Sequence, residues 1–533
     1  SKQRFLLFLF CMTLTIGACR APVTSTPTMP SPKNIPEVVS TASNTPEPTP
    51  TQDLVDTSFY SPEIASTSTE TIYEQQQRAT LGKTDTFFWP DGNIGLVPFD
   101  GQFRFFAANS TRSAVSVGTL DDPGNIVENH RLSIAGVDSE FSYASGGPVY
   151  RDPDSGLLLM FYHAERHLNG NGSIFHASIG LAASQDDGQT FQNLGIILEN
   201  NAPPDAKAPC CADMGGATYT IKDGQFLVYF RDRLEDLNTI ELAVATAAVD
   251  EVIEAAKNGM VTPWSKYNNN GQQQPGISGL SSPLEAGNPP TDWFSISYNT
   301  FIDRYIMAIL THVRSDTNNY QLYLTTSEDG YQWSPRVQLM EFNGEMAYPT
   351  IIAPDGNPLN TSETFYIYYV TTPVGVTRWH NTKFERMTVT LSGQMLEPSH
   401  GWEFEDDAEG WKPLYHMDTF EIQNSALIIQ ATGNDPYMAS PSLGINGDTY
   451  KKIEIRMKTG QSGTGQFFFT TKEFPYHVEE SSVAFDVDES DEYITYTVDM
   501  SASENWKGII GDIRFDPIDQ ATTIEIDYIR LVP

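Results

Sequence analysis

The sequence predicts an all-β protein, a five-bladed β-propeller followed by a β-sandwich, and three observations support this expectation. Short aromatic and β-branched runs alternate with Gly, Asp, Asn and Pro turns between residues 80 and 398. Within that span, similar units recur at intervals of about 60 to 80 residues. Near residue 400 the pattern resets, and a second β-rich region covers residues 402–533.

Each repeating unit opens with small or polar residues, continues with a strongly apolar strand, and then has a strand of small and polar residues. The inner strands of a propeller crowd its channel, so small residues fit there, whereas the second strand is covered by neighbouring blades. A single large β-sandwich accounts less well for this repetition. The five openings are PDGNIGLVP (90–98), ASGGPVY (144–150), CADMGGATY (211–219), WFSISYN (293–299) and AYPTIIA (347–353).

Two turn sequences sharpen the propeller prediction. SQDDGQTF (184–191) matches the pattern Ser-x-Asp-x-Gly-x-Thr-Phe, and TSEDGYQW (326–333) is a degenerate copy. In such a turn the carboxylate and hydroxyl satisfy turn amides, glycine takes a positive φ, and the aromatic ring packs into the blade. The pattern resembles the Asp-box of sialidases and other secreted glycan-active propellers, and we expect a structural role for it.

The C-terminal region, residues 402–533, begins with WEFEDDAEGWKPL and ends with IEIDYIRLVP. Together with DPYMASPSLGI and ENWKGIIGDIRFDP, these segments resemble the jelly-roll carbohydrate-binding modules of secreted polysaccharide-degrading enzymes. That resemblance implies a structural calcium ion near both ends of the domain, with Glu403 or Glu405 and Asp527 as ligands. The alternative is that these carboxylates are solvated edge residues.

The N-terminal segment has the features of a targeting signal. Lys2 and Arg4 precede an apolar run, residues 5–18, that is too short for a comfortable membrane span. The run ends in TIGAC and resembles a bacterial lipoprotein signal, which implies cleavage before Cys19 and a lipid on its thiol. Residues 1–19 are therefore the predicted signal segment, and an ordinary signal peptide is the alternative.

Residues 20–75 are rich in Pro, Thr and Ser and carry too little apolar surface to offset the entropy of ordering. They predict a disordered tether. We accordingly expect an extracellular or cell-surface protein, lipid-anchored to a bacterial membrane and monomeric. Of four cysteines, only Cys210 and Cys211 lie outside the N-terminal segment, which excludes a disulfide framework. Two buried thiols are favoured over a strained vicinal disulfide.

The net charge of −36 restricts the partners. A surface this acidic repels nucleic acid and anionic lipid, so the membrane contact is expected only through the lipid anchor. Neutral or cationic ligands are favoured, and a carbohydrate is the expected partner.

Candidate catalytic residues come from the positions that a propeller brings to one mouth of its channel, namely the starts of inner strands and the ends of second strands. Asp91, Glu165 and Asp213 occupy such positions in successive units. Glycoside hydrolysis needs one protonated and one ionised carboxyl group, and a third can raise the pKa of the acid. We assign Glu165 as general acid, Asp91 as base or nucleophile, and Asp213 as the group that raises the pKa or orients. A structural alternative remains for each, such as turn capping by Asp91.

Glu165 lies in YHAERHL (162–168), where His163, Glu165 and His167 share one face of the predicted strand. Zinc binding is one alternative, but same-side residues lie about 7 Å apart along a strand, which suits one ion poorly. No metal or cofactor is therefore expected for catalysis, and His167 is interpreted as loop surface. The substrate-binding candidates are His163, Arg231, Asp232, Glu345, Trp89 and Tyr348, and Trp293 is a further aromatic candidate for sugar stacking.

Three longer segments carry a family resemblance: WSKYNNNGQQQPGISGLSSP (264–283), SISYNTFIDRYIM (295–307) and YPTIIAPDG (348–356). They resemble secreted five-bladed propellers of the superfamily that includes the arabinanase/xylosidase and invertase clans. The resemblance covers most of residues 85–395 and implies a carbohydrate-acting enzyme with carboxylates from successive blades. The invertase-like RDP occurs at 151–153, in a predicted turn away from the channel, so no single clan is defined.

The predicted function is hydrolysis of glycosidic bonds in a polysaccharide or oligosaccharide. A non-catalytic glycan-binding surface protein is one alternative, since the same architecture can hold a sugar without cleaving it. A polysaccharide lyase is another, because Arg231, Arg233 and His163 suit an acidic sugar.

Overall fold

The structure of the chain is a computed structural model. Apart from one α-helix, α1 (Val249–Lys257), and two 3-10 turns (Glu479–Ser481 and Met500–Ala502), the regular elements of the described residues are β-strands, so the all-β prediction is confirmed. No helix in this described part is both long and apolar enough to cross a membrane. The structure describes residues 57–74, 90–109, 111–123, 129–167, 175–201, 214–233, 240–268, 273–284, 291–312, 319–375 and 382–533.

The first described strand, β1 (Ser61–Glu74), lies in the segment predicted to be a disordered tether. It pairs antiparallel with a strand at the end of the propeller, with Ser61 opposite Leu396 and Glu74 opposite Lys383. Its Ser/Thr-rich middle is exposed, as expected for an edge strand with one solvated face. The tether prediction is therefore wrong for residues 61–74, where threonine and isoleucine favour an extended chain.

Five blades follow, each built mainly from antiparallel strands, and they confirm the propeller. The strands of blades one to three are β2 (Gly95–Phe99), β3 (Gln102–Asn109), β4 (Arg112–Gly118), β5 (Asn129–Leu132), then β6 (Ile134–Ala135), β7 (Tyr143–Arg151), β8 (Leu158–His167), β9 (Phe175–Ser184), β10 (Phe191–Glu199), then β11 (Gly215–Lys222), β12 (Gln225–Arg233), β13 (Ile240–Ala248), β14 (Ser265–Lys266) and β15 (Gln274–Pro275).

Blades four and five share one long strand. The first half of that strand pairs with the third strand of blade four, and its second half becomes the inner strand of blade five. The N-terminal β1 completes blade five as its outer strand. The strands are β16 (Thr291–Asn299), β17 (Arg304–His312), β18 (Asn319–Ser327), the shared β19 (Val337–Ile352), β20 (Asn360–Thr361), β21 (Thr364–Pro373) and β22 (Lys383–Leu396).

The inner strands of all five blades meet at a narrow channel of about 30 Å³. Their close approach explains the small residues at the unit openings: a Cβ atom on Gly147 would lie 1.9 Å from the carbonyl oxygen of Asn93. The Asn93 side-chain amide also donates to the Phe294 carbonyl at 2.8 Å, which joins blade one to blade four. The channel is therefore closed by packing below its mouth.

Both Asp-box turns have the expected structure. In the first, Asp186 accepts hydrogen bonds from the hydroxyl of Ser184 at 2.7 Å and from the amide and hydroxyl of Thr190 at 2.9 and 2.6 Å. Gly188 has φ 80, and the Phe191 ring is buried in the blade. In the second turn Asp329 accepts hydrogen bonds from the Ser327 hydroxyl at 3.1 Å and from the amides of Tyr331 and Gln332 at 2.7 Å, so both motifs stabilise turns within the blades.

The C-terminal region is a β-sandwich of two main sheets that pack over an apolar core. It lies against the outer part of blade four, where Lys412 donates to Gln338 at 2.8 Å and Lys472 donates to the Tyr331 carbonyl at 3.0 Å. Its strands are β23 (Gly401–Trp402), β24 (Lys412–Tyr415), β25 (Met417–Ile422), β26 (Leu427–Ala431), β27 (Tyr437–Ala439), β28 (Ile445–Asn446), β29 (Lys452–Thr459), β30 (Gly463–Phe469), β31 (Ser482–Val487), β32 (Ile494–Asp499), β33 (Ile509–Ile510), β34 (Ile513–Asp516) and β35 (Thr523–Val532).

Candidate active site

A cavity of about 290 Å³ opens at the channel mouth where the inner strands begin. All five blades contribute to its wall, so the cavity lies on the propeller axis. One lining residue from each blade, in chain order, is Asp91, Tyr143, Gly216, Trp293 and Tyr348.

Asp91 precedes the inner strand of blade one and is held from two other blades. The Tyr348 hydroxyl donates to one carboxylate oxygen of Asp91 at 3.0 Å, and the Tyr143 hydroxyl donates to the other at 3.3 Å. The Asp91 amide also donates to the Ala108 carbonyl at 2.7 Å. Hydrogen bonds donated to both oxygens favour the charged carboxylate and fix its orientation.

The two tyrosines are built as donors. Burial raises the pKa of Tyr143 well above its ordinary value, and the nearby charge of Asp91 raises it further, so the phenol stays protonated. Tyr348 has φ 60, a left-handed conformation that a bulky residue rarely adopts, and its ring packs edge-on against Trp293 at 4.6 Å. Backbone strain of this kind persists where the surroundings over-determine it, as they do here between Trp293 and Asp91.

Glu165 lies near the end of β8 between two imidazoles. His163 Nε2 is 3.0 Å from one carboxylate oxygen, and His167 Nε2 is 2.7 Å from the other. The three side chains share one strand face because they occupy every second position. Burial raises the pKa of Glu165, but the hydrogen bonds and charges of His163 and His167 outweigh burial, so this pKa lies below its ordinary value.

The opposite wall of the cavity contains a stacked cation. The Arg231 guanidinium lies 4.3 Å from the centre of the Trp293 ring, a cation–π geometry. Trp293 in turn packs on Tyr348, so Arg231, Trp293 and Tyr348 form a continuous wall that faces the cavity. Flat aromatic faces of this kind can stack on a sugar ring.

The structure brings together six of the residues predicted from the sequence, all of which line the cavity: Asp91, His163, Glu165, Arg231, Trp293 and Tyr348. Glu345 lies on β19 and is not among the residues that line it. Asp213, Trp89, Cys19 and the pair Cys210 and Cys211 lie outside the described residues.

Asp232 was predicted to bind substrate, and this prediction is wrong. Its residue is 2% exposed, and its carboxylate is bonded to Lys266 Nζ at 2.8 Å, Asn200 Nδ2 at 2.6 Å and Ser281 Oγ at 2.6 Å. Neighbouring residues of a strand point to opposite faces, so Arg231 faces the cavity and Asp232 faces the interior.

Sequence reasoning missed Tyr143, and it interpreted His167 as loop surface. Tyr143 is the first residue of an inner strand, a position that the propeller prediction itself marks as facing the channel mouth. His167 ends β8 and bonds to Glu165, so the alternation in YHAERHL was the available signal.

The described residues do not fit a metal site. No group of three or more His, Cys, Asp or Glu within the described ranges is arranged to hold an ion. Glu403 is paired with Arg530 through both carboxylate oxygens at 2.7 Å, and Asp527 is paired with Arg456. Glu405 is exposed. These pairings do not support the calcium site, which stays a prediction from the sequence resemblance.

Comparison with solved structures finds matches of low sequence identity and low TM-score. A Bacillus subtilis glycoside hydrolase family 43 arabinoxylan arabinofuranohydrolase matches with 9% identity and a TM-score of 0.32, over 83% of this chain and 96% of that chain. A Bombyx mori family 32 β-fructofuranosidase matches with 11% identity and a TM-score of 0.34, over 86% of this chain and 98% of that chain.

A family 29 carbohydrate binding module matches with 16% identity and a TM-score of 0.18, over 24% of this chain and 89% of the module. Neither a protein-family model nor a curated protein sequence matches the chain. At these scores the fold assignment rests on the sheet order described above.

Proposed function

We propose that the protein is a glycoside hydrolase that acts on a neutral polysaccharide or oligosaccharide. The observation that carries the proposal is that Asp91 and Glu165, from different blades, line one cavity together with the aromatic wall of Trp293 and Tyr348. Paired carboxyl groups across a bound sugar are what glycosidic hydrolysis requires. The net charge of −36 disfavours a polyanionic substrate.

The pKa of Glu165 changes the roles that the sequence suggested. A general acid must hold a proton, but the lowered pKa of Glu165 keeps this group ionised near neutral pH. Asp91, with two phenol donors, suits the base or nucleophile. We therefore assign the proton to Asp213, the third carboxyl group that the sequence predicts for catalysis, which lies outside the described residues.

Leaving-group chemistry tests this assignment. On a natural linkage, Asp213→Asn is expected to lower kcat by about 10²–10⁴-fold, the usual contribution of general acid catalysis. On a 4-nitrophenyl glycoside of the same sugar, Asp213→Asn should retain most activity, because nitrophenolate departs without a proton. Glu165→Gln should lose activity on both substrates. Release of reducing ends and of nitrophenolate measures the two reactions.

If Glu165→Gln retained activity on the 4-nitrophenyl glycoside and Asp213→Asn lost activity on both substrates, Glu165 would be the general acid. Wild-type protein that binds glycans in a retardation gel but releases no reducing ends from any of a panel of polysaccharides would overturn the hydrolase and leave a glycan-binding protein.

A polysaccharide lyase is a second candidate, and the Arg231 guanidinium in the cavity wall favours it. Arginine binds the carboxylate of a uronic acid, which a lyase must neutralise before it abstracts a proton. An unsaturated product with new ultraviolet absorbance, formed from a polyuronate, would identify this reaction and exclude the hydrolase.

We also propose that the protein is attached to the bacterial surface through a lipid on Cys19. The support is the sequence alone, because an apolar run that ends in Gly17, Ala18 and Cys19 resembles a lipoprotein signal. Cells that express the protein should incorporate labelled palmitate into it, and Cys19→Ser should abolish the label. Retention of the label in that variant would contradict the proposal.

A further inference from the structure

An exposed serine is bonded to one of the two histidines that contact Glu165. Ser142 is exposed and directly precedes β7, and its hydroxyl oxygen lies 2.9 Å from His167 Nδ1. The other ring nitrogen of His167 lies 2.7 Å from Glu165. The Phe175 ring packs edge-on against the His167 ring at 5.7 Å and limits its rotation. Ser142, His167 and Glu165 thus form a continuous hydrogen-bonded line.

The direction of each hydrogen bond in this line follows from the chemistry of its members. An ionised carboxylate only accepts hydrogen bonds, so His167 must carry its proton on Nε2 and donate it to Glu165. In the base form of His167 the Nδ1 atom is an acceptor, and the Ser142 hydroxyl can donate to it at 2.9 Å in place of the Glu165 carbonyl, which lies 3.4 Å away. A hydroxyl that donates to an imidazole held by a carboxylate is the resting arrangement of an activated serine nucleophile.

The backbone holds the serine in register with the histidine. The Ser142 amide donates to the Glu165 carbonyl at 3.0 Å, and Tyr143 pairs with Glu165 across β7 and β8. Glu165 lines the cavity, and His167 joins the Ser142 hydroxyl to that carboxylate, although neither Ser142 nor His167 lines the cavity itself. By contrast, Ser145, three residues further, is buried and bonded to the Asn109 amide. Of these two serines, only Ser142 is both exposed and bonded to an imidazole.

We propose that Ser142, His167 and Glu165 act as nucleophile, base and orienting carboxylate in the hydrolysis of acyl esters on sugar hydroxyls. The proposal goes beyond glycosidic cleavage and uses the proposed function only for the nature of the acyl carrier, a glycan in the adjoining cavity. Glu165 would be an ionised carboxylate in both ester hydrolysis and glycosidic cleavage.

This ester hydrolysis requires water as its only co-reactant. Ser142 Oγ bonds to the acyl carbon while its proton moves to His167 Nδ1, and Glu165 stabilises the imidazolium. The carbon–oxygen bond to the sugar then breaks, and His167 returns the proton to the sugar oxygen. Water, deprotonated by His167, attacks the acyl-serine, and the products are a carboxylic acid, a free sugar hydroxyl and regenerated Ser142.

Serine labelling and ester hydrolysis test the proposal. A fluorophosphonate should form one adduct on the folded protein, mapped to Ser142 by peptide mass spectrometry. Release of nitrophenol from 4-nitrophenyl acetate and of acetate from acetylated xylan should fall by about 100-fold or more in Ser142→Ala and His167→Gln, as loss of nucleophile or base predicts. Ser139→Ala removes an exposed serine of the same loop and should keep both the adduct and the hydrolysis.

The melting temperature of Ser142→Ala should match the wild type, because Ser142 is exposed, and that of His167→Gln should stay close to it, because the glutamine amide can donate to Glu165. Absence of the adduct, or equal ester hydrolysis by wild type and Ser142→Ala, overturns the proposal. The two proposals fail separately: ester hydrolysis without release of reducing ends removes the glycosidase and keeps the esterase, and release of reducing ends without ester hydrolysis does the reverse.

Discussion

Asp91→Asn is expected to lower kcat on the glycan substrate by about 10³-fold, within the range that a general base contributes. The asparagine keeps the shape of the side chain but removes the charge, and its amide nitrogen would face a phenol donor from Tyr143 or Tyr348. The loss should appear in kcat more than in KM, because the carboxylate acts on the reacting atoms. Initial rates from released reducing ends give both constants.

Three tyrosine variants serve as graded controls for this result. Tyr143→Phe and Tyr348→Phe each remove one donor to Asp91, and a hydrogen bond to a charged group contributes about 1.5–3 kcal/mol, so each should cost roughly 10- to 100-fold. Tyr298→Phe also removes a tyrosine–aspartate hydrogen bond, to Asp303, but this pair does not line the cavity. Full activity of Asp91→Asn, or an equal loss in Tyr298→Phe, would remove Asp91 from the chemistry.

The blades of this protein could be predicted from its sequence because each blade repeats a local pattern of residues. Small residues mark the inner strands, and Gly147 shows why: a Cβ atom there would collide with the Asn93 carbonyl. The Asp-box residues satisfy one another within a single turn, so their spacing alone predicts their structure. What local patterns could not predict is β1, because its partner strand, β22, is distant in the sequence.

The residues of the cavity also divide into those that a local sequence pattern predicts and those that it does not. The alternation of His163, Glu165 and His167 is local and correctly predicted one shared face. The partners of Asp91 are separated from it by 52 and 257 residues, and nothing near either tyrosine marks it as a donor to that carboxylate.

Asp232 shows a related failure of sequence reading. A charged residue at a strand end near the channel mouth suggested a ligand, but the register of β12 turns Asp232 inward and Arg231 outward. A shift of one residue along a strand reverses the face, and the sequence does not determine that register where both neighbours are charged.

The inward-facing Asp232 is paired with Lys266, and Lys266→Met is expected to lower the free energy of unfolding by about 3–5 kcal/mol, the usual cost of leaving one partner of a buried ion pair uncompensated. The Lys266 side chain is fully buried, and its ammonium lies 2.8 Å from Asp232 and from the Glu199 carbonyl and 2.9 Å from the Gly279 carbonyl. Methionine has a similar length but no donor for any of these three oxygens. Urea unfolding followed by tryptophan fluorescence measures the change.

Blade three offers a matched control for this substitution. Lys222 and Asp223 also form a lysine–aspartate pair, at 3.0 Å, but the Asp223 side chain is 84% exposed. Lys222→Met should therefore change the free energy of unfolding by about 1 kcal/mol or less, as exposed pairs do. The double variant Lys266→Met/Asp232→Leu should recover part of the loss, because it removes the uncompensated charge. Similar effects of Lys266→Met and Lys222→Met would show that burial does not set the strength of the Lys266–Asp232 pair. A double variant no more stable than Lys266→Met would mean that the three oxygens, rather than the charge of Asp232, require the lysine.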